Sequence, residues 1–155
     1  MSLYLEFDAL VRRLESDAVR YALVGGLAVG VYGHIRATED IDILVHAEDA
    51  DRVAHIAADL GFRRTGKAWT FKNSGVQMIR YFKTGDHDED VLLLDVMIAR
   101  AEPATGILQR AQAVPYAEGR LHVPKRQDLV AMKRLRGSAQ DQADIEHLEK
   151  GEHDG

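Results

Sequence analysis

The 155-residue sequence contains no cysteine. This absence excludes disulfide bonds, thiolate catalysis and thiolate zinc sites, and it is typical of proteins in a reducing compartment. The sequence also lacks an apolar run near the roughly 20 residues that a membrane-spanning helix needs. Its N-terminal stretch MSLYLEFDAL does not have the basic and then apolar layout of a signal peptide. Together these absences predict a cytoplasmic protein that has no membrane partner.

Acidic residues outnumber basic ones, 25 to 20, but the basic residues are locally concentrated. The formal net charge is -5 at pH 7, which argues against a protein that coats nucleic acid without selectivity. Residues 120–136 nevertheless hold six basic residues and one acidic residue, and acidic residues prevail after Ser138. This pattern predicts one basic surface suited to phosphate, followed by an acidic tail helix.

Hydrophobic periodicity predicts an alternation of helices and strands. The predicted helices cover residues 3–18, 27–32, 48–60, 124–137 and 139–150. The predicted strands cover residues 21–24, 40–45, 68–73, 76–83, 91–99 and 121–123. The order predicts one α/β (α+β) domain over residues 1–155, with a mixed β-sheet flanked by helices. Its core would occupy residues 1–100, and residues 120–150 would form a C-terminal helical segment.

Three carboxylates lie in strands that are otherwise apolar. In the predicted strand DIDILV, Asp40 and Asp42 share a face, with Cα atoms roughly 6 to 7 Å apart. Asp95 interrupts the apolar run VLLLDVMIA. Buried carboxylates on one face are unfavourable unless a cation lies between them. If the two strands are neighbours, the three side chains form an oxygen site suited to Mg²⁺ or Mn²⁺ rather than to zinc.

Each carboxylate taken alone also has a structural explanation. Asp40 could be a turn residue at the start of the strand, and Asp42 could pair with Arg36. Asp95 could cap a neighbouring backbone group or pair with an arginine. The three carboxylates together with a nearby glycine pair favour the metal site.

That glycine pair, Gly25-Gly26, lies between a predicted strand and a predicted helix. Glycines at this position allow close approach of a ligand, and the helix start offers free N–H groups to a phosphate. A steric role in the turn is the alternative. The segment lacks both the Walker lysine and the G-x-G-x-x-G spacing, so neither a P-loop nor a dinucleotide site is indicated.

Three segments in this order resemble a known superfamily: GGLA, then GHIRATEDID, then a distant LLDV. They are similar to the DNA polymerase β-type nucleotidyltransferases, especially the small bacterial branch near AbiEii toxins and the aminoglycoside and lincosamide nucleotidyltransferases. The closing segment DLVAMKRLRGSAQDQADIEHL resembles the K-x(n)-R-x-KD-x-x-DI segment of that branch. Gln140-Asp141 replaces its Lys-Asp pair, and Gly-Gly stands where many relatives have Gly-Ser.

The resemblance implies a palm-like mixed sheet with a C-terminal helical pair and a specific set of roles. Asp40 and Asp42 would bind two divalent ions, Mg²⁺ or Mn²⁺, that bridge the triphosphate of an NTP. Asp95 would bind the ion beside the acceptor and take up the proton of the acceptor hydroxyl. Gly25 and Gly26 would hold the β and γ phosphates, and the products would be an NMP-modified acceptor and pyrophosphate.

Further cations lie near this expected site. Arg36 and Thr38 precede Asp40 closely enough to contact a phosphate or to support the metal ligands, although Arg36 could equally neutralise the carboxylates. Lys133 lies on a C-terminal helix from which a long cation could reach the triphosphate, and it shares a helical face with Arg136. A solvated lysine on the helix surface is the alternative.

The sequence thus predicts a metal-dependent nucleotidyltransferase whose acceptor hydroxyl belongs to RNA, protein or a small molecule. The basic run over residues 120–136 favours a phosphate-bearing acceptor such as tRNA. The resemblance also allows a toxin-antitoxin system with a cognate antitoxin as partner. The alternatives are a catalytically silent nucleotide- or partner-binding module of the same fold, and a subunit completed by another chain or by a homodimer.

Overall fold

The structure is a computed structural model that describes residues 2–32, 40–85, 90–136 and 143–149. The helices are α1 (Leu3–Ser16), α2 (Gly25–Val31), α3 (Ala50–Asp59), α4 (Ala104–Gln109), α5 (Arg126–Arg136) and a helical segment over residues 143–149, termed α6. The strands are β1 (Tyr21–Val24), β2 (Asp40–His46), β3 (Arg63–Phe71), β4 (Val76–Thr84), β5 (Val91–Ala99), β6 (Gln112–Tyr116) and β7 (Gly119–Val123). A 3₁₀ turn, Ala47–Asp49, precedes α3.

Five strands form one mixed sheet in the order β1-β2-β5-β4-β3. Strands β2 and β5 are parallel, and the other neighbours are antiparallel. Strands β6 and β7 form a separate antiparallel hairpin. The mixed sheet with flanking helices confirms the predicted fold class.

The two faces of the sheet are covered by different helices. On one face, the Lys83 ammonium donates to Glu6 of α1 and to the carbonyl of Leu60 at the end of α3, both at 2.8 Å. On the other face, Met97 of β5 meets Ile107 of α4 and Leu129 of α5 around one small cavity. We call this second face the carboxylate face, because Asp42 and Asp95 lie on it.

Local sequence explains the central strand β5 and the helix α1, which covers the opposite face. Strand β5 is central, and a strand covered on both sides requires a nearly continuous apolar run. VLLLDVMIA provides that run, and all but two of its residues are buried. Ser2 caps the start of helix α1, and its hydroxyl accepts a hydrogen bond from the Leu5 amide. The helix buries Phe7, Leu10, Val11 and Leu14, which recur at helical spacing.

The predicted bounds of β1 and β5 match the structure, whereas those of β3 differ. Strand β3 begins at Arg63, five residues before the predicted start, because the exposed segment RRTGK has no apolar alternation to detect. Helix α4 and strand β6 were not predicted. Within the described residues, no helix is long and apolar enough to cross a membrane.

Candidate active site

The two strands that carry the carboxylates are neighbours, as the metal-site hypothesis requires. Asp42 of β2 and Asp95 of β5 are register partners on parallel strands, whose axes lie about 4.8 Å apart. Both residues are buried, at 7% and 4% exposure. Asp40 lies two residues before Asp42, opposite Leu93, and therefore points to the same face. The fold thus brings all three predicted carboxylates to one part of the carboxylate face.

The Asp42 carboxylate lies against Gly25. A Cβ atom added at Gly25 would lie 2.2 Å from Oδ2 of Asp42. The φ angle of Gly25 is +74°, which an L-residue with a side chain adopts only at a cost. Gly25 is therefore required by its backbone conformation and by the Asp42 carboxylate, whether or not a phosphate also binds there.

The Asp95 carboxylate is held by Arg80, its register partner on β4. Arg80 Nε donates to Oδ1 at 2.7 Å, and Nη2 donates to Oδ2 at 3.0 Å. The hydrogen bonds to Asp95 raise the pKa of Arg80, burial opposes this rise, and the charges of Asp95, Asp40 and Asp42 raise the pKa further. The Arg80 guanidinium thus pairs with Asp95 and also lies in the electrostatic field of Asp40 and Asp42.

In these contacts two of the carboxylates point in opposite directions across the strands. Asp42 points towards Gly25, which follows the last residue of β1, and Asp95 points towards Arg80 on β4. Across the ranges that the structure describes, no three acidic or histidine side chains form a group ready to hold a metal ion. The donor set itself, carboxylate oxygens without thiolate or imidazole, fits Mg²⁺ or Mn²⁺. Arg80 and a metal ion would compete for the same Asp95 oxygens.

The other residues that were predicted to bind phosphate lie in different surroundings or outside the described residues. Gly26 is buried in the first turn of α2. Arg36 and Thr38 lie outside the described residues. Lys133 is on α5, but its side chain is only 3% exposed and pairs with the fully buried Asp144 of α6 at 3.0 Å. The alternative of a solvated surface lysine is therefore wrong, and an ion pair between α5 and α6 holds this cation.

A small cavity separates Lys133 from the sheet. Its volume is about 30 Å³, and it is lined mainly by apolar side chains together with Gly25 and Lys133. Such a volume holds one or two water molecules and is far too small for a nucleotide. This cavity by itself is therefore not a nucleotide site. Towards β4 and β3 the carboxylate face becomes accessible, since the Arg80 side chain is 37% exposed.

The basic run over residues 120–136 does not form one free basic surface. Arg120 pairs with Glu15 at 3.3 Å, and Arg134 pairs with Glu149. Arg126 lies over the ring of Tyr32, 4.9 Å from its centroid. Together with Lys133, four of the six basic residues thus contact other parts of the chain. The sequence pattern was misleading because many of its charges serve the packing of α1, α5 and α6.

Arg80 was missed at the sequence level, although a signal was present. It interrupts the apolar alternation of VQMIRYFK, just as Asp95 interrupts VLLLDVMIA. Two opposite charges that each break an apolar strand are candidates for cross-strand pairing. The sequence does not give the register that places them opposite each other.

Several solved structures share this fold. The lincomycin-bound crystal structure of LnuA, a lincosamide antibiotic adenylyltransferase, has a TM-score of 0.65 at 17% identity, with 93% of this chain and 94% of LnuA covered. TM1012 from Thermotoga maritima has a TM-score of 0.63 at 16% identity, covering 95% and 93%. ANT(2")-Ia in complex with adenylyl-2"-tobramycin has a TM-score of 0.62 at 15% identity, covering 94% and 90%. At such identities these similarities concern the fold.

Sequence comparison adds the family. No significant match to a curated protein was found. A family model described as "Nucleotidyltransferase of unknown function (DUF6036)" matches residues 3–149, and this match confirms the resemblance to nucleotidyltransferases. The chain therefore belongs to this nucleotidyltransferase family.

Proposed function

We propose that the chain transfers a nucleoside monophosphate from an NTP to an acceptor hydroxyl and depends on a divalent metal ion. The observation that carries this proposal is the register of Asp42 opposite Asp95 on adjacent parallel strands, with Asp40 on the same face. Three carboxylates at this place do not stabilise the sheet by themselves, because burial of a charge costs free energy. Family membership supplies the reaction class.

The reaction joins the acceptor to the nucleotide in one displacement. The acceptor hydroxyl oxygen forms a bond to the α-phosphorus, and the bond from that phosphorus to the oxygen shared with the β-phosphate breaks. Pyrophosphate leaves with the electron pair of the broken bond. The hydroxyl proton passes to the Asp95 carboxylate and then to solvent. Each modified acceptor thus consumes one NTP and releases one pyrophosphate and one proton.

The residues of the carboxylate face have different roles in this reaction. Asp40, Asp42 and Asp95 would hold two ions, Mg²⁺ or Mn²⁺, which when bound stabilise the charge on the attacking and leaving oxygens. Asp95 also accepts the proton, which requires release from Arg80. Gly25 and Gly26 contact the β and γ phosphates.

Three further cationic or polar side chains complete the proposed triphosphate contacts. Arg36 and Thr38 precede the first carboxylate in the chain. Lys133 lines the cavity next to Gly25, and it would contact a phosphate only after rearrangement of its ion pair with Asp144.

The acceptor could belong to RNA, protein or a small molecule. Two of the structural neighbours were solved with an antibiotic or an adenylylated antibiotic, which makes a small-molecule acceptor one reasonable class. A toxin activity restrained by a cognate antitoxin is the proposed biological setting if RNA or protein is the acceptor.

One observation favours a second candidate, a catalytically silent nucleotide- or partner-binding module. Both Asp95 oxygens accept hydrogen bonds from Arg80, and a carboxylate neutralised in this way neither binds metal nor accepts a proton. If Arg80 cannot be displaced, the fold retains NTP binding without transfer.

A labelling experiment separates the two candidates. The protein is incubated with each of the four α-labelled NTPs, Mg²⁺ or Mn²⁺, and total bacterial RNA and protein. Asp42→Asn is the test variant, and Asp59→Asn is the matched control, because Asp59 is an exposed carboxylate on the end of α3. We expect label in a discrete acceptor band with the wild type and the control, and none with Asp42→Asn.

Other outcomes are equally informative. Label that persists in Asp42→Asn would contradict the metal site. NTP binding that requires metal, without transfer in any mixture, would favour the silent module. Absence of both binding and transfer would assign the carboxylates to a structural role.

A further inference from the structure

A single tryptophan stands out on the edge of the sheet. Trp69 lies on the edge strand β3, and 37% of it is exposed. Its ring meets Phe71 edge-on, with centroids 6.3 Å apart and planes at 73°. This contact orients the indole while leaving part of it accessible to a ligand. Aromatic surface of this kind is where an unstacked nucleobase binds.

Trp69 belongs to the carboxylate face. It is the register partner of Met78 on β4, and Arg80 follows Met78 by two residues, so the three side chains share a face. The Arg80 guanidinium carbon lies 5.8 Å from the Trp69 ring centroid. Because Arg80 also binds Asp95, Trp69 is one side chain away from the proposed catalytic carboxylate.

The order of the strands shows on which side of the carboxylates Trp69 lies. Across the sheet, the side chains run from Gly25 at the end of β1 to Asp42, Asp95 and Arg80, and finally to β3. The proposed function places the triphosphate at the Gly25 end and the acceptor hydroxyl at Asp95. On that basis, the surface beyond Asp95 is the acceptor side of the site.

Basic residues on β3 favour a negatively charged acceptor on this side of the site. Arg63 pairs with Phe82 in register and thus lies on the same face as Arg80. Lys67 lies in the irregular segment between Thr65 and Trp69. Both cations are exposed, and neither makes an ion pair with any residue in the part of the chain that the structure describes. Such a surface attracts phosphates and disfavours a polycationic acceptor.

We propose that Arg63, Lys67, Trp69 and Arg80, termed the ribbon surface, bind the single-stranded end of a nucleic-acid acceptor. This proposal rests on the proposed function and specifies its acceptor. The terminal base stacks on Trp69, the backbone phosphates contact Arg63 and Lys67, and the terminal hydroxyl reaches Asp95. RNA and DNA ends share this chemistry, and the experiment below distinguishes them.

Protection of the sheet edge is the competing explanation for these residues. Edge strands commonly carry charged side chains and irregular pairing that prevent association with another sheet. Arg63, Lys67 and the irregular pairing after Thr65 would serve that purpose. An exposed tryptophan would not, because it adds apolar surface to the edge. Edge protection also predicts no affinity for a base.

The sequence provides an internal probe, since Trp69 is its only tryptophan. Wild-type protein without NTP or metal is titrated with single-stranded RNA, single-stranded DNA of the same sequence, and inorganic polyphosphate. We expect saturable quenching of tryptophan fluorescence by one or both oligonucleotides and none by polyphosphate. Preference between RNA and DNA identifies the acceptor. Quenching by neither oligonucleotide overturns the proposal.

Variants assign the binding to the ribbon surface. Affinity is measured by anisotropy of a labelled oligonucleotide, and circular dichroism verifies folding. Trp69→Ala is expected to weaken binding about tenfold, and Trp69→Phe to retain most of it, because stacking tolerates any aromatic ring. Arg63→Gln and Lys67→Gln should each reduce the salt dependence by about 0.7 in the log–log slope. Lys125→Gln, an exposed cation in the basic run, is the matched control and should change nothing.

Two patterns would overturn the proposal, and both are distinct from failure of the proposed function. Weaker binding in Lys125→Gln with no change in Arg63→Gln and Trp69→Ala would place the nucleic acid elsewhere. Transfer of label to a small molecule that no ribbon variant affects would retain the transferase and reject the ribbon surface. Conversely, oligonucleotide binding that depends on Trp69, without transfer, would support the ribbon surface and contradict the transferase.

Discussion

Two of the ion pairs in the described residues join a buried aspartate to a cation in very different surroundings. The Asp144 and Lys133 side chains are 0% and 3% exposed, whereas those of Asp95 and Arg80 are 5% and 37% exposed. The first cation is sealed between helices. The second borders open space, so solvent, a metal ion or a ligand can take its place.

This difference separates a structural ion pair from an exchangeable one. Removal of one partner from a sealed pair leaves the other charge buried without that counter-ion, which is costly. Removal of an accessible cation leaves a carboxylate that water or a metal ion can reach. The carboxylate pair of the sheet can therefore change partners without loss of the fold.

The largest expected effect is at the sealed pair. Lys133→Met should lower the free energy of unfolding by about 3 to 5 kcal/mol, because it leaves Asp144 charged and buried. The double variant Lys133→Met, Asp144→Leu should recover most of this loss. Urea unfolding measures both. A loss below about 1 kcal/mol in the single variant would show that the pair is not sealed, and the contrast between the regions would fail.

The next effect concerns the contact between Gly25 and Asp42. Gly25→Ala should lower the free energy of unfolding by about 2 kcal/mol, because its φ is +74° and the new methyl group would overlap the carboxylate. Gly30→Ala is the matched control in the same helix, where an added Cβ meets no atom within 4 Å. It should be neutral or stabilising by up to about 1 kcal/mol. Equal effects in urea unfolding would refute the steric account.

A smaller and conditional effect is expected at the exchangeable pair. Arg80→Met should cost about 1 kcal/mol without metal, since Asp95 loses the charge-assisted hydrogen bonds but can be rehydrated. Mg²⁺ should restore this loss and raise the melting temperature of the variant more than that of the wild type. Arg100→Met, which removes an exposed arginine bonded to Gln77, should show no such gain. A loss that Mg²⁺ does not restore would argue that Arg80 is as structural as Lys133.

The smallest effect on stability is expected at Asp42. Asp42→Asn removes one charge from a group of three carboxylates and keeps the shape of the side chain. Because relief of repulsion among the three carboxylates offsets weaker hydrogen bonds to the neutral amide, its free energy of unfolding should stay within about 0.5 kcal/mol of the wild type. The rise in melting temperature caused by Mg²⁺ should disappear. Thermal unfolding with and without Mg²⁺ tests this, and an undiminished rise would place the ion elsewhere.

The acidic residues of the candidate site could be predicted from the sequence, because each is unusual within its own strand. Asp42 and Asp95 were visible because each interrupts an apolar strand, and Asp40 was visible because it shares a strand face with Asp42. The strands that carry them were predicted for the same reason. Their adjacency was a hypothesis, which the parallel pairing of β2 with β5 confirms.

The remainder depends on relations that a single sequence does not contain. The pairing of Arg80 with Asp95 requires the register of β4 on β5. The burial of Lys133 requires knowledge of which helix packs on α5, and a lysine at helical spacing gives no indication of it. The first half of β3 is polar because it is an exposed edge, so its alternation carries no hydrophobic signal.

The parallel pairing of β2 with β5 also has a consequence for the timing of activity. Asp42 and Asp95 come from distant parts of the chain, and α3 and the β3–β4 hairpin lie between them in sequence. Non-local parallel pairings form late, because the entropy of closing a long loop must be overcome before any contact compensates for it. An incompletely folded chain therefore has separate carboxylates and no site. Under the proposed transfer reaction, reactivity would begin only with the completed sheet.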